Sequence, residues 1–100
     1  MTVTFQDIEA AALRIKGHVV RTPCVFSQRL SAATKTKLWL KSENQQYTSA
    51  FKERGALNKL LQLSDNERQR GVFAASAGNH AQGLAWHAQR LGIPATIIMP

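Results

Sequence analysis

At 100 residues, the chain is long enough for one small domain with a modest core. Its 44% hydrophobic and 19% charged residues, with six glycines and three prolines, exclude a disordered tail. Thirteen Lys and Arg against six Asp and Glu leave a formal charge of +7. That excess has three readings: nucleic-acid binding, a site for small anions, or a basic stretch separated from acidic sequence elsewhere. The basic residues are scattered from Arg14 to Arg90 without a basic block or arginine-rich arm, which argues against nucleic acid. Cys24, the only cysteine, makes neither an internal disulfide nor a zinc site, and His18, His80 and His87 lack ligand spacing, so no metal is expected. The opening MTVTFQDIEA has neither the basic nor the apolar region of a secretory signal. No apolar run approaches the roughly 18 residues of a membrane span. The expectation is a cytoplasmic protein with no membrane or nucleic-acid partner.

Residues 5–17 are predicted to form a helix, with Ile8, Ala12 and Ile15 on one face, Thr4 as N-cap and Gly17 as stop. Thr22-Pro23 forces an extended or turning segment. A short helix over 28–34 and a strand over 37–41 follow, Leu38 and Leu40 sharing one face of the strand and Trp39 the other. Ser42 to Ser49 is polar and reads as a loop. A helix from Ala50 to Leu63 carries Leu57, Leu60 and Leu61 on its buried stripe. Ser64-Asp65-Asn66-Glu67 is a capping box that starts a short helix ending before Gly71. Val72–Ala75 reads as a buried strand and Ala95–Met99 as a second one. Between them runs a helix with Ala81, Leu84, Ala85 and Ala88 on its apolar face, closed by Gly92 and Pro94. Strand, helix and strand over 71–100 make a βαβ unit, so the fold class is α/β with a parallel sheet and a right-handed crossover. A terminal strand of such a sheet needs cover on both faces, and one helix supplies only one, so the chain is expected to be a fragment or to be truncated in its gene.

Two features carry candidate chemistry. Lys52 stands at the start of a predicted helix, where the backbone's positive end disfavours a cation and favours the neutral amine that attacks carbonyls. Its plain alternative is a solvated surface lysine, and for Phe51 beside it a core aromatic. The turn Ser76-Ala77-Gly78-Asn79-His80 lies where a parallel strand ends and a helix begins, the edge at which open α/β sheets bind ligands. Its free N–H groups suit a carboxylate or phosphate, and Gly78 admits close backbone approach. The alternative is an ordinary helix cap. His80 is either an acid–base group or a hydrogen-bonding cap residue. Ser42-Glu43-Asn44 is a positioning element or a solvated loop, and Trp86 and His87, off the alanine stripe, are packing or surface. Cys24 is expected to be structural.

Taken together the two features are far more specific. Glu43-Asn44 with Thr48-Ser49-Ala50-Phe51-Lys52-Glu53-Arg54-Gly55-Ala56 resembles the cofactor-attachment motif of the threonine and serine dehydratases. Ser76-Ala77-Gly78-Asn79-His80-Ala81-Gln82-Gly83 resembles the substrate-carboxylate loop of the same family, in the same order and at a similar separation. Thr22-Pro23 is similar to a Thr-Pro near the start of these enzymes. The resemblance runs through essentially the whole chain and is nearest to biosynthetic-type threonine ammonia-lyases of isoleucine biosynthesis. It implies the tryptophan-synthase β-like fold of fold-type II enzymes and pyridoxal 5'-phosphate as cofactor. Lys52 is then the Schiff-base and catalytic lysine, Phe51 packs beside it, and Asn79 bonds the 3′-oxygen of the cofactor ring. Ser76, Gly78, Asn79 and His80 clasp the substrate carboxylate.

The implied reaction deaminates L-threonine to 2-oxobutanoate and ammonia. Serine dehydratase and serine racemase share the motifs, and a non-catalytic interaction protein built on a partial copy of the fold is the alternative of another class. Residues 1–68 are expected to belong to the larger domain and 70–100 to open the smaller one, in an enzyme that is a homo-oligomer at full length. Ser49-Ala50 replaces the family's usual Gly-Ser, losing a glycine's backbone freedom and a hydroxyl. Gln45-Gln46 replaces a leucine–glutamine pair. The glycine-rich phosphate loop and the group facing the ring nitrogen are expected beyond Pro100, so the isolated chain is expected to show no appreciable turnover.

Overall fold

The computed structural model describes all of residues 1–100. Helix α1 spans Phe5–Ile15 and begins on the expected N-cap, Thr4, within a capping box: Asp7 N–H donates to Thr4 Oγ1 at 3.2 Å and Thr4 N–H to Asp7 Oδ2 at 2.8 Å. It ends two residues earlier than predicted, and Gly17 then turns the chain at φ +82°. Ile15 is buried, but Ile8 and Ala12 of the same stripe are exposed. α1 packs on the helix that follows Lys52 through its last turn, where Arg14 hydrogen-bonds Asn58, and nothing lies over its first two turns.

Strands β1 (Cys24–Phe26) and β2 (Trp39–Lys41) pair antiparallel, with Phe26 opposite Trp39 and their rings edge to face at 5.5 Å. β1 was not expected; three residues are too few to show a period. β2 is two residues shorter than predicted, and no residue of either strand is buried. Cys24 is exposed rather than structural, because nothing covers its strand. Between them α2 (Gln28–Thr34) starts on the Ser27 side chain and stops where Lys35 turns left-handed at φ 55°.

The predicted loop after β2 contains a 3₁₀ turn, Glu43–Gln45. Helix α3 spans Lys52–Leu60, shorter at both ends than predicted. Leu57 and Leu60 are fully buried, while Leu61 lies past the helix and is half-buried. Helix α4 (Asp65–Arg70) carries the Ser64–Glu67 capping box. At Gly71, φ is +84° and a Cβ would stand 2.6 Å from the Pro94 carbonyl oxygen, so both backbone sign and space demand glycine.

Strand β3 (Val72–Ala75), helix α5 (Asn79–Leu91) and strand β4 (Ala95–Ile98) form the expected βαβ unit. The strands are parallel, with Val72 opposite Ala95 and Ala75 opposite Ile98. α5 closes on Gly92 at φ +65°. The core is the contact between α3, α5 and one face of this sheet: Ala56, Leu60, Leu84, Ala88 and Ile93, flanked by Val72, Ala74 and Ile97. Ala85, expected on the buried stripe, is exposed. The strands are buried on one face only. Phe73 and Ile98, on the other, are 74% and 59% exposed, because both helices lie on one side.

Candidate active site

The structure brings the two sequence motifs together through one contact. Gly83, in the second turn of α5, lies so close to the start of α3 that a Cβ there would stand 2.8 Å from Glu53 Cα and 3.0 Å from Glu53 N. Lys52 is the residue before that contact. Asn79 lies one turn before Gly83, about 6 Å along the helix axis. The start of α3 and the start of α5 therefore share one neighbourhood, although two other elements, α4 and β3, lie between the two helices along the chain.

Lys52 is the first residue of α3 and is exposed. Its Nζ enters neither of the chain's two ion pairs, and its nearest aromatic is Phe51, with the ring centroid 5.9 Å away. Phe51 is itself exposed, which sets aside the simple core-aromatic alternative. Lys52 is presented by a loop under backbone constraint. Ser49 stands at φ 58°, a left-handed conformation that favours glycine. This is the position at which the sequence departs from the family's glycine. Ala50, at the other departure, is buried.

The Ser76–His80 turn follows directly from the sheet: Ser76 N–H continues the parallel ladder by donating to the Ile98 carbonyl at 3.0 Å. Ser76 Oγ accepts from Gly78 N–H and from Ala81 N–H, both at 3.3 Å. Both of its lone pairs are thus used and its own proton is free to donate. Gly78 is the N-cap of α5, and a Cβ there would meet nothing. The N–H groups of Asn79 and His80 have no acceptor in the chain. Two free N–H groups, a free hydroxyl proton and the positive end of a helix of 13 residues form a donor cluster suited to an anion. The Asn79 side chain is exposed and His80 is half-buried beside it.

Sequence reasoning left Glu43 between a positioning element and a solvated loop. In the structure it is a hub. Arg54 Nε and Nη2 grip its carboxylate at 2.8 and 2.9 Å, Thr22 and Gln46 donate to it, and Lys41 approaches to 3.6 Å. The Arg54 guanidinium holds the Glu43 carboxyl down to about 2. Gln46 also grips both backbone groups of Val20, so the hub ties the β1–β2 region to α3 just after Lys52. Thr22, Gln46, Glu53 and His87 are buried polar residues whose partners sequence reasoning did not identify. Their signal lies in three-dimensional pairing. Thr22, Gln46 and Glu53 lie in or beside recognised motifs, and His87 takes the packing rather than the surface reading. A separate cleft of about 400 Å³, lined by Ile15, Lys16, Arg21, Lys41 and Arg54, includes neither Lys52 nor any residue of the Ser76–His80 turn.

An α/β unit that presents an exposed, unpaired lysine beside an anion-binding turn at a parallel sheet edge has the layout of a carbonyl-cofactor enzyme. The sequence model of the pyridoxal-phosphate dependent enzymes matches residues 15–100, and the chain belongs to this family. It is 54% identical over 98 residues to an L-threonine ammonia-lyase of Thermotoga maritima, covering 98% of this chain and 24% of that protein. It is 52% identical over 99 residues to a catabolic L-threonine dehydratase, TdcB, of Staphylococcus aureus, covering 98% of this chain and 29% of that one. Among solved structures, maize serine racemase superposes with a TM-score of 0.88 at 39% identity, over all of this chain and 31% of that one. The chain thus spans a quarter to three-tenths of the length of these curated relatives.

The family's cofactor is pyridoxal phosphate. The residues present fit its aldehyde end, where an amine is required: Lys52 is exposed and free of ion pairs. The neighbouring donor cluster fits the anionic end of an amino acid. No helix of the structure is long and apolar enough to cross a membrane.

Proposed function

We propose that this chain supplies the lysine and the carboxylate clasp of a threonine ammonia-lyase, which converts L-threonine to 2-oxobutanoate and ammonia by elimination of the β-hydroxyl. The observation that supports this reading is the Gly83–Glu53 contact, which packs the helix that begins at Lys52 against the helix that begins at the Ser76–His80 turn. Pyridoxal phosphate, when bound, supplies an electron sink for charge developing at the substrate's α-carbon. Lys52 would hold the cofactor through its Nζ and, once the substrate's amine had displaced it there, its freed amine would take the α-proton. The Asn79 and His80 N–H groups and the Ser76 hydroxyl hold the carboxylate, Gly78 leaving the room for it, which orients the α-C–H bond. The Asn79 side chain would bond the ring oxygen and Phe51 would pack beside the attachment point. Residues 1–68 belong to the larger domain and 70–100 open the smaller one, in a cytoplasmic, homo-oligomeric enzyme.

Expressed as the whole enzyme, the wild type releases 2-oxobutanoate from threonine, and Lys52→Ala loses about 10²–10⁴-fold of that rate with the loss of its general base. Unchanged turnover in Lys52→Ala would sink the assignment. The likeness to maize serine racemase supports a second reading, racemisation of serine by the same lysine and clasp. D-serine formation outrunning ammonia release from serine would favour it. The name of the Staphylococcus relative places that protein in catabolism. Inhibition of the whole enzyme by isoleucine would instead place this one in isoleucine biosynthesis.

A further inference from the structure

Two side-chain atoms are buried without a hydrogen-bond partner, Glu53 Oε1 and His87 Nε2. Both residues are 0% exposed. They sit on the two helices that meet at Gly83, Glu53 at the contact itself and His87 one turn further along the same face of α5. The charge of Glu53 acts on the His87 ring, as do those of Arg90 and His18; burial is the largest influence and disfavours the protonated ring.

Elementary chemistry fixes the tautomer. Arg90 Nη1 lies 3.2 Å from His87 Nδ1. A guanidinium only donates, so Nδ1 is the acceptor and the ring proton resides on Nε2. The unpartnered nitrogen is therefore a donor and the unpartnered carboxylate oxygen an acceptor, one on each of the two helices that meet at Gly83. The other oxygen of Glu53 is engaged: Oε2 accepts from Thr48 N–H at 2.9 Å and Thr48 Oγ1 at 2.7 Å. The loop from Thr48 to Phe51 presents Lys52. It is pinned to α5 a second time, by Tyr47 stacked on Trp86 with centroids 5.7 Å apart.

We propose that Arg90, His87, Glu53 and Thr48 form a buried relay across the α3–α5 crossing, in which His87 Nε2–H donates to Glu53 Oε1 directly or through one water, and that Glu53 and His87 are positioning residues for Lys52. The relay rests on the proposed role of Lys52 for its purpose but not for its existence. It converts helix packing into a fixed approach for the lysine: the carboxylate holds the loop on one side and the ring on the other.

Imidazole nitrogen NMR on the ¹⁵N-labelled chain tests the relay without any cofactor. The expected result is a neutral His87 with its proton on Nε2, protected from solvent exchange, and at least tenfold faster exchange in Glu53→Gln. A proton on Nδ1, a charged ring at neutral pH, or protection unaffected by Glu53→Gln overturns it. A thermodynamic cycle with Glu53→Gln, His87→Phe and the double variant is expected to be non-additive, and additive effects count against the pair.

Positioning is read by incubation with pyridoxal phosphate, borohydride reduction and mass spectrometry, with exposed Lys59 on the same helix as internal reference. The ratio of label at Lys52 to label at Lys59 is expected to fall severalfold in Glu53→Gln and to recover in part in Glu53→Asp. An unchanged ratio overturns the positioning role. Equal labelling of both lysines in the wild type would refute the Lys52 assignment while leaving the tautomer result standing.

Discussion

Ser49 concentrates what a single residue does here. Its left-handed φ of 58° costs an L-residue roughly 1–2 kcal/mol. Ser49→Gly removes that cost but adds roughly 0.4–1 kcal/mol of unfolded-chain entropy. The expected outcome is a net gain of about 0.5 kcal/mol, seen as a higher urea midpoint at unchanged slope. Glu43 makes a pH-dependent contribution whose sign is fixed by the direction of its shift. Its carboxyl is depressed from 4.5 to about 2 in the folded chain. The unfolded state therefore takes up protons first as pH falls. The stabilisation is complete above pH 4.5 and drains away between there and pH 2. Urea titrations across that window check it, and Glu43→Gln is expected to flatten the slope and lower stability at pH 7 by about 1–3 kcal/mol.

Among the elements, the α3–α5 crossing decides the site. Gly83→Ala forces a methyl to within 2.8 Å of Glu53 Cα, a backbone atom that cannot rotate away. A loss of about 1–3 kcal/mol is expected from overpacking, measured by chemical denaturation. What was legible in the sequence follows the same scale. The βαβ unit, the Thr4 N-cap, the Ser64–Glu67 capping box and the closure of α5 at Gly92 were readable because period, cap and glycine agree locally. β1 was not, since three residues paired to a strand beyond α2 carry no pattern of their own. The lysine and the anion turn were readable as motifs, but their proximity was readable only through the family resemblance, because the close helix approach behind it depends on one glycine's lack of a side chain. Glu53 and His87 were illegible as a pair for the same reason. Ala85 and Ile8 followed the helical period but lie where no neighbouring element covers them.

For the whole molecule, the radius of gyration of 16.1 Å exceeds the roughly 13 Å of a compact 100-residue domain. Fourteen residues are buried, and Phe73, Ile98 and Trp39 stand exposed. Under the proposed function the donor cluster and Lys52 would supply only one side of the pocket, so the isolated chain with pyridoxal phosphate and threonine is expected to release no 2-oxobutanoate above background. A coupled assay for the oxo acid, showing turnover, would contradict this. The crossing at Gly83 also has an evolutionary consequence. Exchanging Glu53 for an apolar residue strands the His87 N–H in a dry interface, and an apolar replacement at 87 then becomes the favoured second step. Two positions far apart along the chain are thus expected to drift as one, while position 83 does not drift at all.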